Sequence, residues 1–112
     1  MQILTINLDK NLEQELSSQL SDKVQHSKSM DDACSIIESN DIHCIIKNTS
    51  AEACENDAIN SLLGLTPIST KLILIGDTID GPLQAQWREL GIDFLLSPSS
   101  AEIIQKISTN SP

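Results

Sequence analysis

No run of apolar residues in this sequence approaches ~18 positions, so nothing in it reads as spanning a bilayer. The opening residues, MQILTINLDK, lack a basic flank followed by an apolar core and do not read as a signal peptide. Basic residues are scarce: seven Lys and Arg face sixteen Asp and Glu, a net charge of -9. That field repels phosphate backbones and anionic lipid, which argues against nucleic acid and membrane surfaces as direct partners. Cysteine is limited to Cys34, Cys44 and Cys54, which cannot all pair within one chain, and there is no CxxC. Reduced thiols in a cytoplasmic compartment are the simplest reading. The pattern GxxxxGK[ST] is missing, and the turn Asn7-Leu8-Asp9 contains no glycine. With no loop to cradle a phosphate, a nucleotide- or flavin-binding enzyme is not expected, and no cofactor is assigned.

What is present is one domain. The chain has 112 residues, 39% apolar and 21% charged, a soluble globular composition. A chain of this length buries roughly 65% of its unfolded surface, enough for a core without metal or disulfide staples. The domain is expected over 1–108, with 109–112 a tail or the start of a linker, since Ser-Thr-Asn-Ser-Pro has turn-forming composition.

Apolar runs of strand length alternate five times with stretches of helical period. Strands are expected at Gln2–Asn7, Val24–Ser27, Ile42–Ile46, Lys71–Ile75 and Ile92–Leu96. The third and fourth are continuously apolar, as in strands covered on both faces, and the second is polar enough for an edge. Leu12, Leu16 and Leu20 form a helical stripe. Ala33, Ile36 and Ile37 form another, opened by Ser29, with Asp31-Asp32 at the positive end of the helix dipole. Thr49-Ser50-Ala51-Glu52 reads as a capping box before Cys54, Ala58, Leu62 and Leu65. Asp80-Gly81-Pro82 opens a fourth helix with Leu83, Trp87 and Leu90 on its inner face, stopped by Gly91. Ser99-Ser100-Ala101-Glu102 is a second capping box, before Ile103, Ile104 and Ile107. Strand then helix, five times, implies right-handed crossovers onto a parallel sheet. The expected fold is a three-layer αβα sandwich, flavodoxin-like, with strand order 2-1-3-4-5.

Two stretches carry a family likeness: Ile3-Leu4-Thr5-Ile6-Asn7-Leu8-Asp9 with Asp41-Ile42 ahead of the third strand, and Gly91-Ile92-Asp93-Phe94-Leu95-Leu96-Ser97-Pro98. Over nearly its whole length the chain resembles the receiver domain of two-component response regulators, the CheY-like (βα)5 family. That resemblance implies two acids after strand 1 holding magnesium and an aspartate ending strand 3 as phosphoacceptor. It also implies a Thr or Ser ending strand 4 and a Lys before the last proline. This sequence departs at each place. Asn7 and Leu8 stand at the acidic pair with Asp9 beside them, and Ile46 or Lys47 falls at the acceptor. Gly76 replaces the hydroxyl residue, with Thr78 two places on, and Ser97 replaces the lysine.

The resemblance therefore implies a pseudo-receiver, not an enzyme, that keeps the fold and has lost phosphoryl chemistry. Such bacterial domains are expected at the N-terminus of larger proteins, including sigma-54-type activators, diguanylate cyclases and Flp-pilus assembly ATPases. They contact themselves or an effector through the face of helix 4, strand 5 and helix 5, here represented by Pro82, Trp87, Arg88 and Gln105, with a homodimer as one outcome. Two alternatives remain: a phosphorylatable receiver with displaced acids at Asp9 or Asp77, and a phosphotransfer subunit with a catalytic thiol. The second lacks a cysteine after strand 1.

Other residues have plainer readings. Lys47 is expected either to pair with Asp9 and Asp77 in place of a cation or to be solvated at a strand end. His43 and Cys44 are adjacent in a strand and cannot share one ion, so they read as packing residues; His26 belongs to another strand, and no metal site is assigned. Cys54 is the cysteine expected to be most accessible. Glu52, Glu55, Asp57 and Asp77 to Asp80 read as helix starts and solvated faces, and lack calcium-loop spacing.

Overall fold

A computed structural model describes residues 2–20, 23–39, 41–48, 64, 70–76 and 81–108. Its elements run β1 (Gln2–Ile6), α1 (Lys10–Gln19), β2 (Lys23–Ser27), α2 (Met30–Ser39), β3 (Cys44–Asn48), β4 (Lys71–Gly76), α3 (Gly81–Glu89), β5 (Asp93–Leu96) and α4 (Ser100–Ser108). The fourth and fifth helices expected from sequence are thus α3 and α4. The expected third helix, with Cys54, Glu52, Glu55 and Asp57, lies outside the described residues, as do Asp77, Thr78, Asp80 and 109–112.

The five strands form one all-parallel sheet in the order β2-β1-β3-β4-β5. Side chains alternate across it, which sorts the core into two layers. Leu4, Ile6, Ile45, Leu72 and Leu74 pack with Ala33 and Ile37 of α2 and Trp87 of α3. Ile3, Cys44, Ile46, Ile73 and Ile75 pack with Leu16 of α1 and Ile103 and Ile107 of α4. The flavodoxin-like, CheY-like sandwich expected from the sequence is the fold observed.

Helix ends explain most of the connections. The N–H groups of Asp32 and Glu102 donate to the hydroxyls of Ser29 (3.2 Å) and Ser99 (3.3 Å), each satisfying an amide that the first turn leaves open. At the end of α3, Gly91 takes φ +80°; its N–H donates to Arg88 O (3.1 Å) and that of Ile92 to Trp87 O (2.9 Å). This is a Schellman cap, and its apolar clasp is made by Trp87 and Ile92, both in the core.

The structure departs from the sequence reading at β3, His43 and Leu90. β3 runs Cys44–Asn48, two residues later than expected, because His43 lies at the sheet's rim, where its N–H donates to Gln2 O at 2.9 Å. His43 is exposed, not packed, and its Nδ1 accepts from the Gln2 N–H at 3.1 Å. Leu90, expected on the inner face, is 55% exposed, since it lies past the last helical turn where the Schellman cap swings the chain away. Among the described residues no helix is long and apolar enough to cross a membrane.

Candidate functional site

The C-terminal ends of β3, β4 and β5 and the starts of α1 and α4 enclose a cleft of about 370 Å³. Its floor is Leu12, Ile75 and Gly76, and carboxylates enter from Asp9 and Glu15. Carboxamides come from Asn11 and Asn48, and hydroxyls from Ser97, Ser99 and Ser100. Two of these hydroxyls are already engaged. Ser99 caps α4, and the buried Ser100 Oγ accepts from Gln19 Nε2 at 3.3 Å. Asp9 stands at the N-cap of α1, yet its side chain makes no capping bond; only its backbone carbonyl serves, accepting from Glu13 N–H at 2.9 Å.

The positions singled out from sequence fall in different places. Asn7 is exposed and left-handed, with φ 56°, and its N–H is tied to Ser27 O at 2.8 Å. Leu8 is buried against the α1 and α4 layer. Asp9, Gly76 and Ser97 do meet in the cleft, and Ser97 holds its place with φ 42° and an N–H bond to Gly76 O at 2.7 Å. Ile46 is fully buried, and Lys47 is buried as well, 4% exposed. The β3 residue that lines the cleft is Asn48, the next one along.

Alternation explains why Lys47 does not pair with Asp9; the Asp77 half of that expectation lies outside the described residues. Lys47 is two residues from Ile45 and so shares the sheet face that packs on α2 and α3. Asp9 belongs to the cleft beside α1, across the sheet. The solvated alternative also fails, since Lys47 is enclosed and its Nζ donates to Asn48 O at 3.2 Å.

A magnesium ion of the kind the family likeness implies does not fit these residues. It needs clustered hard oxygen donors, above all carboxylates. One of the two positions after β1 is an apolar core residue, the other is an exposed amide, and β3 ends in a buried ammonium and an amide. Among the described residues no three His, Cys, Asp or Glu side chains gather as metal ligands.

A second polar cluster escaped the sequence reading. His26 on β2 is held by Thr5 Oγ1 at Nδ1 (2.6 Å) and by Ser17 Oγ at Nε2 (2.8 Å), with Glu13 Oε2 at 3.6 Å from Nδ1. The only signal in the sequence is the spacing of Glu13 and Ser17, one helical turn apart, and the register Thr5 to His26 appears only once the strands are paired. The set resembles a hydroxyl, imidazole and carboxylate relay. Ser17 lies inside α1, however, where backbone N–H groups are spent on the helix and none is left to stabilise an oxyanion. The cluster fastens edge strand β2 to β1 and α1.

Pro82, Arg88 and Gln105, which the sequence reading assigns to a contact face, are exposed. Trp87 is not: it is 5% exposed and stacked on Phe94, ring centroids 5.5 Å apart at 24°. It supports that face from below and does not present itself. Cys44 is buried, and burial pushes its thiol up to about 12, outweighing the opposing pull of Lys71.

No protein-family model matches the chain, and no curated protein matches it. Solved structures do. The chain is similar to a structure described as the CpaE2 pilus assembly protein of Sinorhizobium meliloti 1021, with TM-score 0.77 and 13% identity over 96% of this chain and 98% of the other. It is equally similar to the pilus assembly protein CpaE of Caulobacter crescentus CB15, with TM-score 0.76 and 15% identity over 98% of both chains. At such identities the likeness establishes the shared CheY-like fold.

Proposed function

We propose that this chain is a non-catalytic pseudo-receiver that works by protein–protein contact, as part of a larger bacterial regulator or assembly protein. One observation carries the reading: β3 ends in buried Lys47 and cleft-lining Asn48, so no carboxylate occupies the place from which a receiver accepts a phosphoryl group. The fold shared with two pilus assembly proteins supports an assembly role over two-component signalling. The contact surface is the α3, β5 and α4 face. It presents Pro82, Arg88 and Gln105 together with two exposed large apolar side chains, Leu90 and Leu96. Arginine and apolar anchors in a polar rim suit a protein partner, in keeping with a cytoplasmic module whose cysteines remain reduced.

The test compares Arg88→Glu and Gln105→Glu with Lys47→Ala, read by light scattering and by pull-down with proteins encoded alongside the chain. Association weakened by the two surface changes and retained by Lys47→Ala supports the reading. Loss of association in a folded Lys47→Ala variant, with the surface variants unaffected, overturns it.

A further inference from the structure

We propose that the cleft at the C-terminal strand ends receives a guanidinium group, carried on an arginine side chain of a partner protein. The inference rests on the protein-contact reading above and names a chemical group that the partner presents.

The cleft is rich in acceptors and has nothing of its own to accept from. Asp9 and Glu15 enter it as carboxylates, which when ionised only accept hydrogen bonds. Among the described residues no basic side chain lines it. Lys10, next to Asp9 in the chain, lines a separate hollow with Glu13 and His26, and Lys47 lies across the sheet beside Leu74. Acids elsewhere are answered: Asp93 meets Lys71 Nζ at 2.8 Å and Lys106 Nζ at 3.5 Å, and Glu13 stands 3.6 Å from His26. Asp9 and Glu15 have no ion pair and no side-chain hydrogen bond among the described residues. Asp9 is the clearer case, since an N-cap aspartate ordinarily accepts from an amide of the first turn and this one does not. The carboxamides of Asn11 and Asn48 are likewise unspent.

Charge selects the guest. Helix starts attract anions, but α1 and α4 already carry Glu13 and Glu102 in their first turns. The net charge of -9, with two carboxylates above the apolar floor of Leu12 and Ile75, concentrates negative potential in the cleft. The complementary guest is a cation. A metal ion is poorly served, because among the described residues no three acidic, imidazole or thiol ligands gather.

The lining also distinguishes guanidinium from ammonium. A guanidinium is a planar fork of five donors with no acceptor, so carboxylates and carboxamide oxygens are satisfied together. An ammonium is a compact, strongly hydrated point charge with three donors. The arginine stem covers Leu12 and Ile75, as long charged side chains cover apolar surface. Asp9, Asn11 and Glu15 are exposed, so the guest enters from solvent, as a protruding side chain does. Free arginine would bring its own carboxylate against Asp9 and Glu15.

The experiment adds the capped peptide Gly-Arg-Gly to the full chain at low salt and follows amide resonances. Saturable shifts at Asp9, Asn48 and Ser97 are expected. The same peptide with citrulline, equal in shape and uncharged, is expected to move none of them, and the lysine peptide is expected to bind more weakly. Asp9→Asn combined with Glu15→Gln is expected to weaken binding by about tenfold or more with the circular dichroism unchanged. Glu38→Gln, exposed on α2, is expected to change nothing. Equal binding of the citrulline peptide, or equal weakening by Glu38→Gln, overturns the site, as does the absence of shifts at saturating peptide. A lysine peptide that binds as tightly overturns the guanidinium, and free arginine that binds more tightly than the peptide overturns the partner side chain. Association with proteins encoded alongside the chain that survives Asp9→Asn with Glu15→Gln, but is lost with Arg88→Glu and Gln105→Glu, overturns this inference and leaves the contact reading standing.

Discussion

Lys47 stands in register beside Leu74, between two apolar strands, and is the one buried charged residue among those described. Lys47, one of the two residues the family likeness sets at the acceptor position, is thus part of the core's α2 and α3 layer, while the cleft behind it belongs to Asn48. Its four-carbon stem does the packing. Lys47→Met, which keeps that volume, is expected to cost less stability than Lys47→Ala, whose truncation costs about 2–4 kcal/mol by analogy with other long side chains cut to alanine. Urea denaturation of the two variants checks the order, and a Met variant less stable than the Ala variant would show that packing of the stem does not stabilise this position.

The start of α4 offers a sharper test. Ser99→Ala removes the hydroxyl that accepts from Glu102 N–H and is expected to cost about 1 kcal/mol. An unchanged urea midpoint would show that the cap contributes nothing.

Gly91 tests the backbone alone. A Cβ there would meet nothing within 4 Å, so Gly91→Ala is expected to destabilise by about 1–2 kcal/mol purely through its φ of +80°. Gly91→Asn is expected to lie between the two, because asparagine tolerates the left-handed region better.

Cys44 and Cys34 are expected to differ in alkylation. The thiolate is the reactive form, and burial holds the Cys44 thiol at about 12, so little thiolate exists at pH 8. Cys34 is partly exposed on α2. Iodoacetamide followed by peptide mapping is expected to find Cys34 labelled before Cys44 in the native protein, with Cys44 labelled only on denaturation. Equal rates would contradict the burial.

Much of this was legible in the sequence where one residue type has one structural use. Gly91 and Ser99 mark helix ends because few residues replace a left-handed glycine or an N-cap hydroxyl, and both do what the sequence implies. The continuous apolar runs of β3 and β4 announced a sheet covered on both faces. What escaped depends on strand register. Ile42 is apolar and buried but precedes β3, so an apolar run alone placed the strand two residues early. That slip hid Asn48 as the cleft residue. The grip on His26 joins β1, α1 and β2 and exists only after pairing. Trp87 was legible as core by spacing from Leu83 yet also named as contact surface; the structure keeps the first reading.

The central claim is that this receiver fold performs no phosphoryl chemistry, and intact-mass spectrometry after treatment with acetyl phosphate and magnesium tests it most directly. The same sample with beryllofluoride, followed by amide resonances around Asp9, Asn48 and Ser97, tests binding without covalent change. The account predicts an unchanged mass and unmoved resonances. A stoichiometric gain of one phosphoryl group, mapped to Asp9 or to any other carboxylate at the strand ends, would contradict it.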